Sequence, residues 1–380
     1  MMNLRSAIVS LPPVEALRTE KWRRRAAADL FPKAKVRAAE ADGGKKRALI
    51  EARMKRDTSV PEWRNGLINA GCSPQAAEDM LWCRLAYGFS FSEYRCYCFE
   101  DKTIGERLAF FSDRESVMLS YRINDLDGMD LFSDKGKTWR RFAPFYGRDA
   151  VCLRSSGDLA ALTSFLEKHP TAIVKPASGS CGTGVRMIDA SGQDLRGLSA
   201  ELLSAGPVLL EEPIAQSVAM ASFHPASVNT VRVVTFCGKT GVRPLWAFLK
   251  TGRGGSLTDN GAAGGIMAGI GLADGRVCTD GIDETGRRYS VHPDSGKPFS
   301  GFDLPDWEAL KATCVSAAVS VPEVRMIGWD AAHTDGGWRI VEGNAQSELI
   351  GPQAVSGRGL RREIMGLLEE LRLPTGEYRA

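Results

Sequence analysis

The stretch Ile173-Val-Lys-Pro-Ala-Ser-Gly-Ser-Cys-Gly-Thr-Gly-Val-Arg-Met-Ile188 constrains the fold more than any other part of the chain. A lysine on a strand-like run leads into a loop with glycines at 179, 182 and 184, and the residues after the loop are again strand-like. The loop lacks the terminal Gly-Lys-Ser/Thr of a P-loop, and no helix pattern follows it, so neither the P-loop nor the dinucleotide fingerprint fits. What remains is a strand-loop-strand element. Glycines there let backbone N–H groups close on phosphate oxygens without interference from a Cβ, and Lys175 at the base is placed to reach the α or β phosphate. A tight surface hairpin is the alternative.

Composition sets the frame around this element. The 380 residues are 43% hydrophobic and 25% charged, an ordinary globular mixture with room for more than one core. A net charge of +3 is too small to predict nucleic acid as a partner. Charge is uneven, however: Arg18 to Asp57 holds 14 basic side chains against 6 acidic. The longest uncharged run, Ile214 to Val231, is interrupted by Gln216, Ser217, Ser222, His224, Asn229 and Thr230, so no transmembrane segment is predicted. Ala7 to Leu11 runs into Pro12-Pro13 without the features of a secretory signal, and the expected location is the cytoplasm. Nine cysteines with no C-x-x-C pair read as reduced thiols, and four histidines without helical metal spacing leave little material for zinc.

From Ser6 to Phe91 the chain is rich in Ala, Arg, Lys, Leu and Glu with helical periodicity, and Ser73-Pro74 reads as an N-cap followed by a helix start. Aromatic and β-branched residues dominate from Phe91 onward, which predicts a boundary near residue 90 between a basic helical module (1–90) and a sheet-rich body (91–380). Strands are predicted at Ala150 to Leu153, Thr171 to Pro176, Gly184 to Ile188, Val208 to Glu211, Thr230 to Phe236, Pro244 to Leu249, Gly265 to Ile270, Met326 to Ala331 and Trp338 to Glu342. Helices are predicted at Gly157 to Lys168, Leu195 to Ser204, Pro305 to Val319 and Gly359 to Leu371. The fold class is α+β.

Two further clusters carry chemistry. Gly328-Trp-Asp330 and Val341-Glu342-Gly-Asn344 flank Thr334-Asp-Gly-Gly337, which has the composition of a hairpin turn. A three-residue loop puts Asp330 opposite Glu342, whereas a two-residue loop moves it by one position. Glu342 and Asn344 share a strand face in either case. Oxygen ligands of this kind suit Mg²⁺ bridging to nucleotide phosphates; an exposed hairpin with solvated acids is the alternative. Val208-Leu-Leu-Glu-Glu-Pro213 ends a strand in two acids that suit an adenine and its ribose hydroxyls, or simply reach solvent. Arg232, within the strand Asn229 to Thr235, has to be paired or to face a site, and anion binding is favoured over a structural salt bridge. The loop Lys250-Thr-Gly-Arg253 through Asn260 to Gly265 carries cations and amides suited to a substrate carboxylate or a developing acyl phosphate. His224 and His292, each before proline, are expected to pack in turns.

In this order, Ser133-Asp-Lys135, the 173–188 loop, the acidic 208–213 segment, the Arg232 strand and the Asp330, Glu342, Asn344 set resemble the ATP-grasp superfamily. More narrowly, the chain resembles the sugar-transfer-associated ATP-grasp proteins. That resemblance rests on Phe91-Ser-Glu-Tyr94 with Glu106-Arg107, His224-Pro-Ala-Ser-Val-Asn-Thr-Val-Arg232, Asp259-Asn260 before Gly264-Gly265, His292-Pro to Pro305-Asp-Trp307, and Ile327-Gly-Trp-Asp330 through Glu342-Gly-Asn344. It spans roughly residues 75–365. The resemblance implies an ATP-grasp fold, two α+β lobes clamping Mg·ATP, behind the helical N-terminal module. Residues 91–170 would form its N-terminal part, 171–215 the nucleotide lobe and 216–380 the metal and substrate lobe. It implies Lys135 and Lys175 on phosphates, with Ser178, Gly179, Ser180, Gly182 and Gly184 lining them. Glu211 and Glu212 would lie near adenine and ribose, and Asp330, Glu342 and Asn344 would hold Mg²⁺, with Mn²⁺ as the substitute. Arg232, Arg253 and Asn260 are the expected catalytic groups, and either Lys250 or Arg253 carries the substrate-side charge.

The function expected on this basis is an ATP-dependent carboxylate-amine ligase that forms an amide through an acyl phosphate and releases ADP and phosphate. Its partners would be a small-molecule carboxylate and an amine, linked to surface polysaccharide or a related metabolite. A kinase of the same fold is one rival. A nucleotide-binding docking protein, using the basic N-terminal helices to reach an acidic partner or a membrane surface, is another.

Overall fold

The computed structural model describes residues 45–179 and 182–373. They divide into two compact units: one runs up to Asp125 and takes back Glu348–Gln353 and the segment from Arg358, and the other comprises Leu126–Ser347 with Ala354–Gly357. The helices expected before Lys45 lie outside the described residues.

The first unit is helical, and its helix starts follow local chemistry. Ser73 accepts a hydrogen bond from the Ala76 N–H at 3.1 Å with Pro74 in the first helical turn. Three capping boxes, Ser90 with Glu93, Thr103 with Glu106 and Ser112 with Glu115, open Phe91–Cys96, Ile104–Leu108 and Asp113–Ile123. The expected boundary near residue 90 falls inside this unit, because the aromatic run packs into its core. Phe89 meets Phe99 edge-on at 4.8 Å between ring centroids, and Tyr97 lies 4.8 Å from Phe110.

The C-terminal segment completes that core. Gln353 is fully buried; its Nε2 donates to the Tyr97 hydroxyl and the Phe111 carbonyl, both at 3.0 Å, while its Oε1 accepts from the Phe111 N–H at 2.7 Å. Arg361, opening the final helix Arg361–Glu370, donates to the carbonyls of Leu108 at 2.7 Å and Phe110 at 2.8 Å.

The second unit holds two antiparallel sheets. The smaller has the order β1-β4-β2-β3, formed by β1 (Ala150–Leu153), β2 (Thr171–Pro176), β3 (Arg186–Asp189) and β4 (Val208–Glu211). Helices Leu159–Lys168 and Leu195–Leu203 bury their apolar faces against it through Leu162, Phe165, Leu198 and Leu202. The larger sheet has the order β11-β10-β5-β6-β7-β8-β9. Its strands are β5 (Thr230–Gly238), β6 (Gly241–Thr251), β7 (Ile266–Ile270), β8 (Gly281–Asp283), β9 (Arg288–Tyr289), β10 (Met326–Thr334) and β11 (Gly337–Asn344). Helix Trp307–Val319 packs on it through Leu310, Cys314 and Ala317. No helix among the described residues is long and apolar enough to cross a membrane.

The β10–β11 hairpin closes with two residues, since Thr334 pairs with Gly337. By itself this closure would move Asp330 off Glu342. A bulge between Asp330 and Ala331 adds one residue, Val341, on β11, and Asp330 again pairs with Glu342. The facing of the two acids therefore arises from a two-residue turn plus a bulge, not from a three-residue loop.

Gln353→Leu would remove the acceptor of the buried Phe111 N–H, while the Tyr97 hydroxyl still donates to the Phe111 carbonyl at 3.1 Å. The expected loss is about 1–3 kcal/mol, read as a lower urea midpoint with unchanged slope; a change within error would show that water replaces the amide.

Candidate functional site

Lys175 is the fifth residue of β2 and pairs in register with Leu209 on β4. Its Nζ lies 2.5 Å from Oε2 of Glu211, whose Oε1 accepts from Arg148 Nη2 at 3.0 Å. Glu211 is buried; burial alone would raise its pKa, but Arg148 and Lys175 more than offset this and hold it below the usual carboxylate range. Lys135 begins the helix Lys135–Tyr146, which is capped by Asp134 through the Lys137 N–H at 2.9 Å. The Lys135 ammonium donates to the Gly179 carbonyl at 2.6 Å and lies 3.8 Å from Oε1 of Glu342. Phe132, Lys135, Tyr146, Lys175, Glu211 and Glu342 line one cleft.

The glycine loop joins β2 to β3 as an antiparallel hairpin. Gly184 has φ +76°, and a Cβ there would stand 2.9 Å from Pro176 Cγ, so the turn admits no other residue without a shift. At Gly182 a Cβ would meet the Thr258 methyl at 3.5 Å, which brings the 252–265 loop against the glycine loop. Ser178 and Gly179 are exposed, and Ser180 lies outside the described residues.

On the larger sheet, Arg232, Asp330 and Glu342 occupy one row across β5, β10 and β11. Arg232 donates to both oxygens of Asp330, from Nε at 2.6 Å and Nη2 at 2.7 Å, and its stem lies over Gly328, where a Cβ would approach Arg232 Cδ to 3.1 Å. Lys250 Nζ adds a second cation 3.5 Å from Asp330 and lies 3.6 Å from Asp259. Burial pushes the Asp330 carboxyl up, and Arg232 and Lys250 outweigh it, holding the pKa at about 2. Arg232 thus forms an ion pair with Asp330, and Asp330 stands in the same row as Glu342.

Glu342 and Asn344 supply oxygen donors of the kind that suit Mg²⁺: they lie two apart on β11 and so share a strand face, and the Glu342 side chain, 38% exposed, lines the cleft.

The remaining predicted residues lie apart from this row. The backbone N–H of Glu212 donates to the Asp149 carbonyl at 3.0 Å, and its carboxylate groups with Asp149 and His169. The acid pair is thereby separated: Glu211 is buried between two cations on the wall of the cleft, while Glu212 stays half-exposed. The Asn260 carbonyl accepts from the N–H groups of Ala263 and Gly265 and shapes the loop. Arg253 meets Asp283 and Tyr289.

Arg148 is the residue that the sequence reading missed. It stands just before β1 and donates to the Ile340 carbonyl at 2.7 Å and the Val341 carbonyl at 3.3 Å, at the bulge, as well as to Glu211. Two of its partners are main-chain carbonyls 192 and 193 residues away, so no local spacing signals them.

Asp330→Asn should cost about 3–5 kcal/mol near neutral pH, because it removes the buried counter-charge of Arg232 and leaves Lys250 with Asp259 alone. The wild-type carboxylate has a folded pKa of about 2 against an unfolded value of about 3.9. Its stabilisation is therefore full above about pH 4 and lost as pH falls toward 2. The difference between wild type and variant should shrink over that window in urea unfolding; a constant difference would refute the ion pair as its source.

The profile of the family described as sugar-transfer associated ATP-grasp matches residues 151–367, more than half of the chain. No curated protein matches. Among solved structures, the chain is similar to the ATP-grasp ligase PsnB complexed with a precursor peptide and AMPPNP, at 17% identity and TM-score 0.37 over 64% of this chain and 62% of that one. It is also similar to D-alanine–D-alanine ligase from Bacillus anthracis complexed with ATP, at 16% identity and TM-score 0.39 over 67% and 69% of the two chains. A third is the ADP complex of N5-carboxyaminoimidazole ribonucleotide synthetase, at 11% identity and TM-score 0.36 over 57% and 45%. With its glycine hairpin, paired lysines and Glu-Gly-Asn strand end, the chain belongs to the sugar-transfer associated ATP-grasp family.

Proposed function

We propose that this protein is an ATP-dependent carboxylate-amine ligase. The observation that carries this reading is the single cleft in which Lys135 and Lys175 stand with Glu342 beneath a glycine hairpin. Two cations from separate elements suit a polyphosphate, and the glycine loop supplies backbone N–H groups to it. A Mg²⁺ ion held by Asp330, Glu342 and Asn344 would neutralise phosphate charge there.

The chain's own residues act by position. Glu211 and Arg148 aim Lys175, and Lys135 bridges the hairpin and Glu342. A substrate carboxylate oxygen attacks the γ phosphorus and ADP leaves. An amine then attacks the acyl carbon, phosphate departs, and the amine proton passes to solvent. No enzyme nucleophile is required, and catalysis rests on alignment and charge. The family's association with sugar transfer supports an acceptor linked to polysaccharide or a small metabolite, such as an amino acid joined to a uronic acid, made in the cytoplasm where ATP is supplied. Helix Lys45–Arg56, with six basic residues and one acid, is proposed to dock on an acidic partner or membrane surface.

Thermal unfolding with and without Mg·ATP, on wild type and Glu342→Gln, tests the nucleotide site without knowledge of the substrates. Saturating ligand should raise the melting temperature by mass action; at a hundredfold excess over Kd the stabilisation is about 2.7 kcal/mol. The rise should need Mg²⁺ and shrink in the variant. No rise in wild type would sink the ligase reading, and ADP release that needs a carboxylate but no amine would turn it to the kinase.

A further inference from the structure

Glu211 lines the cleft, whereas Glu212, the next residue, turns toward Asp149 and His169. One ligand atom from each of these three, two carboxylate oxygens and an imidazole nitrogen, lies within 4.8 Å of the other two. In the sequence they are scattered: Asp149 stands 20 positions before His169 and 63 before Glu212. No local spacing announces them as metal ligands, and the fold alone brings them together.

Backbone structure fixes all three. The Glu212 N–H donates to the Asp149 carbonyl at 3.0 Å, and the Asp149 N–H donates to Oε2 of Glu212 at 3.3 Å, which extends the β1–β4 ladder and sets the two carboxylates side by side. His169 follows helix Leu159–Lys168, and its N–H donates to the Phe165 carbonyl at 2.8 Å. Its side chain is only 14% exposed, its ring packs on Phe165 at 5.1 Å between centroids, and Nε2 stands 2.9 Å from Oδ2 of Asp149. The imidazole is therefore oriented before any ion arrives.

With the ring neutral, Asp149 and Glu212 bring two negative charges against the one positive charge of Lys168, which pairs with Asp149 from a side chain that is 68% exposed. Two carboxylates this close favour a cation between them. An ionised carboxylate only accepts, so Nε2 carries a proton toward Asp149. A divalent ion can take that proton's place, with the ring proton moving to Nδ1 and Lys168 swinging out into water. Donors around a tetrahedral zinc ion stand about 3.4 Å apart, so side-chain rotation alone closes the set. One nitrogen with two oxygens suits a borderline ion of the zinc class, whereas Mg²⁺ prefers oxygen throughout. We propose that Asp149, His169 and Glu212 form a binding site for a divalent transition-metal ion of that class, separate from the cleft, with water completing its coordination. Such an ion ties the end of helix Leu159–Lys168 to the β1–β4 edge, next to Arg148 and Glu211.

Calorimetric titration of the full chain with Zn²⁺ in excess Mg²⁺ tests this without nucleotide or substrate, so its result is independent of the ligase reading. Wild type should show a binding event that His169→Gln weakens about tenfold or more. Lys168→Ala, which removes the competing cation, should tighten it several-fold. The Lys168 side chain is largely exposed, so this second variant keeps the test decisive if His169→Gln fails to fold. The rise in melting temperature that Zn²⁺ brings should follow the same order, Lys168→Ala above wild type above His169→Gln. Absence of an event in wild type overturns the site. So does Zn²⁺ binding that neither substitution changes, which is what the free thiols would give.

Discussion

Arg148 joins the two sheets of the larger unit through one guanidinium. Nη2 holds Glu211 at the end of β4, and Nη1 holds the Ile340 carbonyl beside the bulge in β11. A bulge leaves main-chain groups outside the ladder, and buried carbonyls without donors are costly. Arg148 supplies those donors. Because the bulge sets the register that pairs Asp330 with Glu342, and Glu211 holds Lys175, a single cation fixes the end of β11 and the lysine of β2 together. The Arg148 side chain is only 5% exposed and lies over the Tyr146 ring at 4.7 Å, so a shorter lysine could not make the same set of contacts.

The charge arrangement follows from that geometry. On the larger sheet, Arg232 and Lys250 face Asp330 and Asp259, a cluster that balances internally and can therefore be buried. In the cleft the balance differs: Lys135, Lys175 and Arg148 outnumber Glu211 and Glu342. The excess positive charge sits where the glycine hairpin turns, and there an anion brings stabilisation rather than repulsion. Neutral on one side and cationic on the other, the site separates the charges that hold the strands in place from those left facing the cleft.

Much of this was legible in the residues because it is local. Ser73-Pro74 starts a helix by its own hydrogen bond, and the 173–188 stretch makes a hairpin because its glycines permit the turn and its flanks prefer strand. The facing of Asp330 and Glu342 was readable only on condition of a loop length, and the structure reaches it by another route, since a bulge leaves no compositional mark. Arg232 could be read as either anion binder or salt bridge; which one holds depends on Asp330, 98 positions away. The boundary near residue 90 failed to mark a unit edge for the same reason. A change in composition reports the onset of aromatic residues, whereas the unit is defined by Phe89 packing on Phe99 and by Gln353 returning from the far end of the chain.

The two His-Pro histidines show how a residue expected only to pack can also set chemistry. Nδ1 of His224 accepts from the Ser227 N–H at 3.2 Å, and Nδ1 of His292 accepts from the Asp294 N–H at 3.3 Å. A backbone N–H has no lone pair to offer, so each ring must carry its proton on Nε2. Those protons point to the Gly254 carbonyl at 3.0 Å and the Gly252 carbonyl at 2.8 Å. Burial lowers the pKa of His292 and keeps it neutral, which preserves the Nδ1 acceptor that the Asp294 N–H needs. The backbone is thus gripped on both sides of residue 253 while Asp283 grips the side chain, and an arginine on a glycine-rich loop acquires a fixed orientation.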